Sequence, residues 1–193
     1  AYTNSSLNRN IAKAGNLYSW TWSGWVKFSQ NGNSPTLFGA TTGSAGSGDY
    51  RTHLTWSSGQ LSFLHAQIQI STYVQFVWPA YYRDPSAWYH IVLVYDSLNS
   101  TTANRVRLYV NGVQQTPTTT TCPQGQITVV NNSNLGVTNN CVMKIGSAND
   151  YYGNPGYWFD GQMSEVNFID GQSLQPTLFG DFDSNTVWVP IPY

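Results

Sequence analysis

An all-β sandwich of two antiparallel sheets is the fold class that the sequence predicts. Helical periodicity is nearly absent, and runs of strand length with alternating apolar and polar residues recur along the chain. Gly and Pro interrupt these runs at short intervals, which favours a sandwich or jelly roll over a fold that alternates helices with parallel strands. A length of 193 residues suits one β domain, so we expect a single domain over residues 1–193.

Five segments carry the strand signals. In residues 20–28, Trp20 and Trp22 share one face while Trp25 points to the other. Residues 90–95 form a continuous apolar run, which indicates a strand buried on both faces. The pair Asn111-Gly112, which follows residues 106–110, predicts a type I′ hairpin turn. The segments are residues 20–28, the hairpin 53–63, and residues 90–95, 106–110 and 163–169.

Three other segments lack periodicity, and we expect them to be irregular apart from a short strand at residues 127–130. Cys122 and Cys141 lie in the last of them, and their spacing matches no zinc motif. A disulfide between them, which would contribute about 3 kcal/mol in an oxidising setting, and two unpaired thiols both stay open. The irregular segments are residues 1–16, residues 41–49 and the Cys-bearing insertion 116–141.

The composition excludes several functional classes. Only 9% of the residues are charged, against about 25% in an average domain, but 15% are aromatic, which excludes a disordered chain. The longest aliphatic run, residues 91–94, is far shorter than the ~20 residues that span a bilayer, so we expect no membrane partner. A net charge of −1 argues against nucleic acid as a partner. The first residues have neither the basic nor the apolar region of a signal peptide, so we expect that any secretion signal has already been removed.

A family pattern covers most of the chain. It consists of residues 19–27, residues 87–96 with Trp88-Tyr89-His90, the Leu-Tyr-Val-Asn-Gly hairpin within 106–112, and residues 159–166. These four segments, in this order, resemble the core strands of laminin-G-like, concanavalin-A-like lectin domains. The resemblance implies a concanavalin-A-like (laminin-G-like) jelly-roll sandwich of two antiparallel sheets.

A narrower resemblance rests on residues 6–9, 83–88, 165–171, 179–180 and 188–190. They are similar to laminin-G-like domains in virion and tail proteins of marine bacteriophages. The resemblance implies a non-enzymatic virion structural protein, either a capsid decoration protein or a tail or fibre component. It also implies a virion or extracellular location, contacts with other virion proteins, and a homotrimer. The basic residues that usually precede the terminal Tyr are missing here, and the Cys-bearing insertion is not part of that pattern.

The chain lacks the residues that enzymes with this fold use for catalysis. Glucanases with this fold use two glutamates and an aspartate on one strand, whereas this chain has one glutamate, Glu165. The Gln-Ile-His motif of related alginate lyases has Gln69 in place of its histidine. We therefore expect no catalytic residues. A polysaccharide lyase or hydrolase that uses His65 in a shifted arrangement remains an alternative, as does a free-standing lectin module.

Calcium is the one cofactor that the sequence leaves open. Members of this superfamily often hold Ca²⁺ through side-chain and carbonyl oxygens of a rim loop, and Asp49, Asn149 and Asp150 have suitable oxygens. No string of acidic ligands in a loop is present, and Asp181 and Asp183 are typical of a solvated turn. We therefore expect neither a metal site nor another cofactor, with calcium as the alternative.

Glycan contact is the predicted binding function, and host-surface polysaccharide the predicted ligand. Sugars stack on flat aromatic faces, and their hydroxyl groups pair with amides and other planar polar groups. Residues 149–158 and 49–53 concentrate such groups, and residues 81–84 form a third cluster. These rings could instead cap the sandwich or contact a second subunit, whereas Trp20, Trp22, Trp88 and Trp188 are expected in the core. The candidate ligand-binding residues are Asn149, Asp150, Tyr151, Tyr152, Tyr157, Trp158, Asp49, Tyr50, Arg51 and His53.

Overall fold

A computed structural model describes most of the chain, and its regular structure is almost entirely β. Apart from strands, the described residues contain two short 3₁₀ turns, Thr102–Asn104 and Pro176–Leu178. The described ranges are residues 5–11, 15–16, 18–29, 35–42, 50–67, 73–121, 141–149 and 155–193.

The larger of two main sheets has seven strands, and all its neighbouring strands pair antiparallel. Its edges are a strand near the N-terminus and a strand from the start of the insertion. In spatial order the strands are β1 (Leu7–Ile11), β11 (Cys141–Ile145), β3 (Thr36–Thr42), β4 (Tyr50–Ser57), β5 (Gln60–Gln67), β6 (Tyr73–Tyr81) and β10 (Thr119–Thr121).

The smaller main sheet has five antiparallel strands, and two short hairpins accompany the main sheets. In spatial order its strands are β14 (Gly161–Asp170), β2 (Ser19–Phe28), β7 (Tyr89–Asp96), β8 (Val106–Val110) and β9 (Val113–Gln115). The hairpins pair β12 (Ala148–Asn149) with β13 (Pro155–Gly156), and β15 (Gly180–Phe182) with β16 (Trp188–Pro190).

The main core lies between the two large sheets. Trp20 and Trp22 of β2 are fully buried there, on the same face as predicted. The Trp20 ring stacks on Tyr95 from its own sheet at 5.5 Å and lies 5.8 Å from Phe38 of the opposite sheet. Such ring pairs add roughly 0.5–1.5 kcal/mol each beyond the area they bury. The period-2 pattern of β2 therefore reports its inward face correctly.

A second, smaller core covers the outer face of the five-stranded sheet. Residues 171–193 run across that face, and Phe179 is buried with Val92 and Val94 of β7. This cover explains why residues 90–95 are apolar without alternation, because β7 is buried from both sides as predicted. Trp188, 8% exposed, belongs to the same cover.

The predicted turns and the last strand are confirmed, with one irregularity. Asn111 and Gly112 both have positive φ, at 48° and 78°, as a type I′ turn requires. In β14 the pairing with β2 shifts between Ser164 and Asn167, and Glu165 in this bulge has a φ of 50°. The bulge reverses the inward and outward alternation of the side chains along β14. Residues before the bulge and residues after it can therefore both face the core.

Two predictions about order and burial are wrong. Residues 7–11 lie in a segment expected to be irregular, yet they form β1 because β11, far along the chain, supplies the paired backbone. Trp88 is 40% exposed and is not a core residue. The other two segments expected to be irregular also contain strand residues, because residues 41–42 end β3, and β10 and the first residue of β11 lie in the insertion. The expected strand 127–130 and Cys122 lie outside the described residues, as does the side chain of Cys141, so the disulfide stays a prediction.

Candidate functional site

The outer face of the seven-stranded sheet, opposite the core, carries a row of polar and small residues. In the strand register, Lys144 of β11 lies beside Gly39 of β3, which lies beside His53 of β4. Lys144 and His53 are thus two strand spacings apart, about 10 Å between their Cα atoms. One rung further along the strands, Arg51 lies beside Thr41 on the same face. These residues share a face because strand side chains alternate and Leu54, next to His53, points into the core.

The segment that follows β11 folds back over this row. Gly39 makes room for it, since a Cβ there would lie 2.9 Å from the Cβ of Ala148 and 3.0 Å from the carbonyl oxygen of Ser147. Backbone hydrogen bonds attach both ends of the segment to β3. The Gly146 N–H donates to Leu37, and the Thr36 N–H donates to the Tyr157 carbonyl at 2.8 Å. The described residues 146–149 and 155–157 are called the cover segment below.

Two of the predicted glycan-binding clusters meet at the cover segment. The Tyr157 ring lies 6.1 Å from the His53 ring, which joins the 149–158 cluster to the 49–53 cluster. The ammonium group of Lys144 donates a hydrogen bond to Oδ1 of Asn149. Tyr157 is 40% exposed and has a φ of 52°, so its ring is held at the surface by a left-handed backbone.

Burial dominates the electrostatics of this face. His53 is 4% exposed, and burial together with the nearby Arg51 charge lowers its pKa to about 3, so the ring is neutral at neutral pH. Its Nε2 atom has no hydrogen-bond partner among the described residues, and the same is true of Nε of Arg51. Burial also lowers the pKa of Lys144. The site therefore contains polar groups that are dehydrated and incompletely paired.

The other candidate residues are partly beyond the described structure. Trp158, directly after the cover segment, is half-buried, and Tyr50 begins β4 with its side chain undescribed. His53 is buried beneath the cover segment, so it contacts Tyr157 instead of facing solvent. The candidates that lie outside the described residues are Asp49, Asp150, Tyr151 and Tyr152. Ligand contact by any of the ten candidates stays a prediction.

The third aromatic cluster does not join the site. The Arg83 guanidinium lies 4.1 Å above the Tyr81 ring and therefore occupies one face of it. Arg83 also packs beside the β4–β5 turn at Gly59. That turn is eight residues beyond Arg51 along an extended strand, which corresponds to roughly 26 Å. Residues 81–84 are thus at the opposite end of the sheet.

Lys144 is the residue of this face that sequence reasoning missed. It stands alone in the apolar run Cys-Val-Met-Lys-Ile of β11, where a buried lysine needs a specific reason. That isolated charge was the available signal. Its position beside Gly39 depends on a pairing between distant segments, which one sequence does not reveal.

A serine–histidine pair on the other sheet has the geometry of a nucleophile and its base but the wrong proton arrangement. Nε2 of His90 lies 2.9 Å from Oγ of Ser23, and the Trp188 indole N–H donates to Nδ1 of His90 at 2.9 Å. Because Nδ1 accepts, Nε2 carries the proton of the neutral ring and donates it to Ser23. A catalytic histidine must instead accept the serine proton and donate from its other nitrogen. Ser23 and His90 are also buried, and the pair has a structural role.

The residues behind the enzymatic alternative do not gather at the cover segment. His65 faces inward beside Thr52, is 4% exposed, and has a pKa lowered to about 4 by burial. Glu165 is exposed on β14, an edge strand of the five-stranded sheet. The one glutamate and the candidate lyase histidine thus lie on different sheets.

The described residues hold no group of three or more His, Cys, Asp or Glu side chains that could bind a metal ion. Asp183 instead accepts hydrogen bonds from the backbone of Asn185 and Val187, which identifies residues 183–187 as a self-contained turn. The calcium alternative depends on Asp49 and Asp150, which the described ranges do not include. In those ranges no helix is long and apolar enough to cross a membrane.

Comparisons with solved structures support the fold. A carbohydrate-binding module, CBM40, of the Ruminococcus gnavus IT-sialidase is 17% identical with a TM-score of 0.60, over 89% of this chain and 95% of that one. The LG1-3 region of the laminin α2 chain is 16% identical with a TM-score of 0.50, over 84% and 30%. The enzymatically active domain of tailspike protein 2 of bacteriophage CBA120 is 10% identical with a TM-score of 0.51, over 86% and 24%.

The sequence itself identifies the family. No curated protein matches the chain. A family model described as "Concanavalin A-like lectin/glucanases superfamily" (Laminin_G_3) matches residues 3–176, which include every strand of both main sheets. With two antiparallel sheets packed around a shared core, the chain belongs to the laminin-G-like branch of the concanavalin A-like lectin/glucanase superfamily.

Proposed function

We propose that this protein is a non-enzymatic carbohydrate-binding sandwich of a bacteriophage virion, which contacts host-surface polysaccharide through the cover segment and the sheet face beneath it. The observation that carries the proposal is the meeting of Asn149 and Tyr157 with Lys144 and His53 on one face. An exposed ring beside amide and cationic groups supplies both the stacking surface and the hydrogen-bonding groups that a sugar needs.

The absence of an enzymatic role is proposed on chemical grounds. Glycoside hydrolysis on this fold needs two carboxyl groups on either side of the bond that breaks. No aspartate or glutamate among the described residues lies in the seven-stranded sheet, and Glu165 is on the other sheet. The Ser23–His90 pair, with its reversed proton arrangement, offers no replacement nucleophile.

The virion role follows from the resemblance of residues 6–9, 83–88 and 165–171 to phage laminin-G-like domains. Capsid decoration or a place in the tail or fibre, other virion proteins as partners, a homotrimer and an extracellular location belong to this proposal. A mass-spectrometric inventory of purified particles tests it directly, and particles that lack the protein would refute the virion role without touching the glycan proposal.

The glycan proposal is tested by a glycan array and by binding of labelled protein to host cells. Tyr157→Ala removes the exposed ring of the cover segment, and we expect at least a roughly tenfold loss of affinity, which corresponds to about 1.4 kcal/mol. Tyr81→Ala is the matched control, because it removes an exposed ring at the far end of the sheet. The proposal would be contradicted if the wild-type protein bound neither the array nor cells, or if the two variants lost affinity equally.

A further inference from the structure

Lys144 and Asn149 bring a buried amine against a side-chain amide. Nζ of Lys144 lies 2.5 Å from Oδ1 of Asn149. Because a C=O bond is about 1.23 Å long, Nζ is within about 3.7 Å of Cγ of Asn149 at any angle. Reacting atoms in a near-attack arrangement are about 3–3.5 Å apart, so the amine is already close to the range in which it can attack that carbon.

The backbone holds both residues in place. Lys144 lies in β11 between two paired strands, with Asn8 of β1 on one side and Gly39 of β3 on the other. Asn149 lies in the β12–β13 hairpin. Between them, the N–H and the carbonyl of Gly146 are both hydrogen-bonded to neighbouring segments. Reactants fixed in a productive geometry behave as if present at roughly 10⁵–10⁸ M, which brings a slow reaction within the lifetime of a protein.

Burial makes the Lys144 amine more nucleophilic. The residue is only 8% exposed, and burial lowers its pKa, which increases the fraction of neutral amine with a free lone pair. A lysine amine that is desolvated in this way is activated for attack on a carbonyl carbon. Asn149 is half-buried rather than buried, so ammonia released from its amide has a path to solvent.

We propose that Lys144 and Asn149 become joined by an amide bond, which attaches the cover segment covalently to β11. Nζ of the neutral amine attacks Cγ of Asn149, and the bond between Cγ and Nδ2 breaks. One proton moves from Nζ to the departing nitrogen, which leaves as ammonia, so atoms and charge balance without an oxidant or other reactant. The product is a secondary amide with one N–H donor and one carbonyl acceptor. The inference goes beyond the proposed function and does not depend on it, since the ring of Tyr157 remains exposed.

The intact mass of the wild-type protein tests the inference without any substitution. Loss of one ammonia lowers the mass by about 17 Da relative to the sequence. We expect this deficit in the major species of the purified protein, measured after denaturation. Trypsin gives the location, because Lys144 is the last Lys or Arg of the chain. Trypsin does not cleave after a linked lysine, so residues 108–193 should form one peptide that carries the deficit.

Two substitutions each remove one reactant. Lys144→Met has no amine and Asn149→Ala has no amide, so each variant should have the full mass of its own sequence. Lys27→Met, the same substitution in β2 of the other sheet, is the matched control and should keep the deficit. Gly39→Ala should lower the linked fraction, because its methyl group would press on Ala148 and shift the neighbouring Asn149.

The wild-type measurement alone decides the question, so a variant that fails to fold does not affect the result. A wild-type protein of full sequence mass overturns the inference and leaves the glycan proposal standing. A deficit accompanied by normal cleavage after Lys144 also overturns it, since cyclisation of an asparagine elsewhere in the chain loses the same mass. A deficit that remains in Lys144→Met has the same meaning.

Discussion

The two main sheets both have a covered outer face, but the covers are built differently. On the five-stranded sheet, residues 171–193 cover the outer face with aromatic side chains. Both ring nitrogens of His90 are hydrogen-bonded there, one to Ser23 and the other to Trp188. On the seven-stranded sheet, Nε2 of His53 has no hydrogen-bond partner among the described residues, and the ammonium group of Lys144 donates to the neutral amide of Asn149.

The two covers differ in how completely the polar groups beneath them are hydrogen-bonded. Buried polar groups in stable proteins are almost always paired, so a paired network indicates a permanent contact. Unpaired buried groups cost free energy, and the described residues also include some in the core, such as the indole nitrogens of Trp20 and Trp22, and Nε of Arg107 on the five-stranded sheet. The C-terminal cover is part of the second core, and the ligand site proposed above lies at the cover segment.

Acid should produce the largest change in stability, because both faces and the core bury a neutral histidine. Burial lowers the pKa of His53 to about 3, and those of His65 and His90 to about 4. Above the unfolded value of about 6.5 neither state binds these protons, so stability is constant. Below it the unfolded chain takes up protons first, and each histidine removes about 1.4 kcal/mol per pH unit until its folded pKa is reached.

Urea unfolding at pH 7, 6, 5 and 4.5 checks this expectation. The free energy of unfolding should be level near pH 7 and should fall by several kcal/mol at pH 4.5. A variant with Leu at position 53 should show a shallower fall, because one titrating ring is gone. Stability that is unchanged between pH 7 and pH 5 would show that the histidines are not buried in the neutral form.

Removal of the ring at position 188 should be the most damaging single substitution on the C-terminal cover. Trp188 packs against Phe182 at 4.9 Å and fills the space above Gly112, where a Cβ would lie 2.5 Å from its ring. Trp188→Ala should cost about 3–5 kcal/mol, as large aromatic truncations in cores do. Urea denaturation measures it. Trp188→Phe keeps most of the packing but removes the indole N–H that donates to His90. The expected loss of stability, about 1–3 kcal/mol, therefore measures that hydrogen bond.

A loss below about 1 kcal/mol for Trp188→Ala would mean that the C-terminal segment is not part of the core. The comparison between the faces would then fail, because both covers would be loosely attached. Tyr157→Ala provides the reference value on the other face, where the ring is largely outside the core.

The same substitution at two histidines should have effects of different sign. His90→Leu strands the buried donor of Trp188 and the hydroxyl of Ser23, and should cost about 1–3 kcal/mol. His53→Leu removes an unpaired buried nitrogen and should be neutral or stabilise by up to about 1 kcal/mol. Chemical denaturation at pH 7.5, where both rings are neutral, measures the two variants. Equal destabilisation by both would erase the distinction between a paired and an unpaired face.

The sequence predicted the sandwich well because its strands carry local signals. Trp20 and Trp22 face the core as their spacing predicts, and the turn at Asn111-Gly112 needs positive φ that few residue pairs supply. Even the bulge in β14 has a signal in principle. Met163 and Phe168 both pack against the core, yet they are five residues apart, which a regular strand cannot accommodate.

The site was predicted less well because it depends on long-range pairing. Arg51 and Tyr157 were recognised as candidates from local composition, but only the registers of β11 with β3 and β3 with β4 place Lys144 and His53 on either side of Gly39. β1 was missed for the same reason, and Trp88 was expected in the core as a large aromatic residue, although its side chain is 40% exposed.

Glycine substitutions should give the smallest stability effect that still separates the faces. Gly39 has no positive φ, so an alanine there is opposed only by Ala148 and the Ser147 carbonyl, at 2.9 and 3.0 Å. Gly112 has a φ of 78°, and its Cβ would lie 2.5 Å from the Trp188 ring. Gly39→Ala should therefore cost about 1–3 kcal/mol, as overpacking does, and Gly112→Ala more, because left-handed backbone alone adds roughly 1–2 kcal/mol.

The informative readout for Gly39→Ala is ligand binding rather than stability. The added methyl group must displace β12, which carries Asn149 and thereby alters the contact that holds the Lys144 ammonium group. We expect a several-fold loss of polysaccharide affinity in a variant that its urea unfolding curve shows to be folded. Gly112→Ala should show the reverse, with reduced stability and unchanged affinity. If both variants lost binding in proportion to stability, the cover segment would be a structural element like the C-terminal one, and the unpaired groups beneath it would need another explanation.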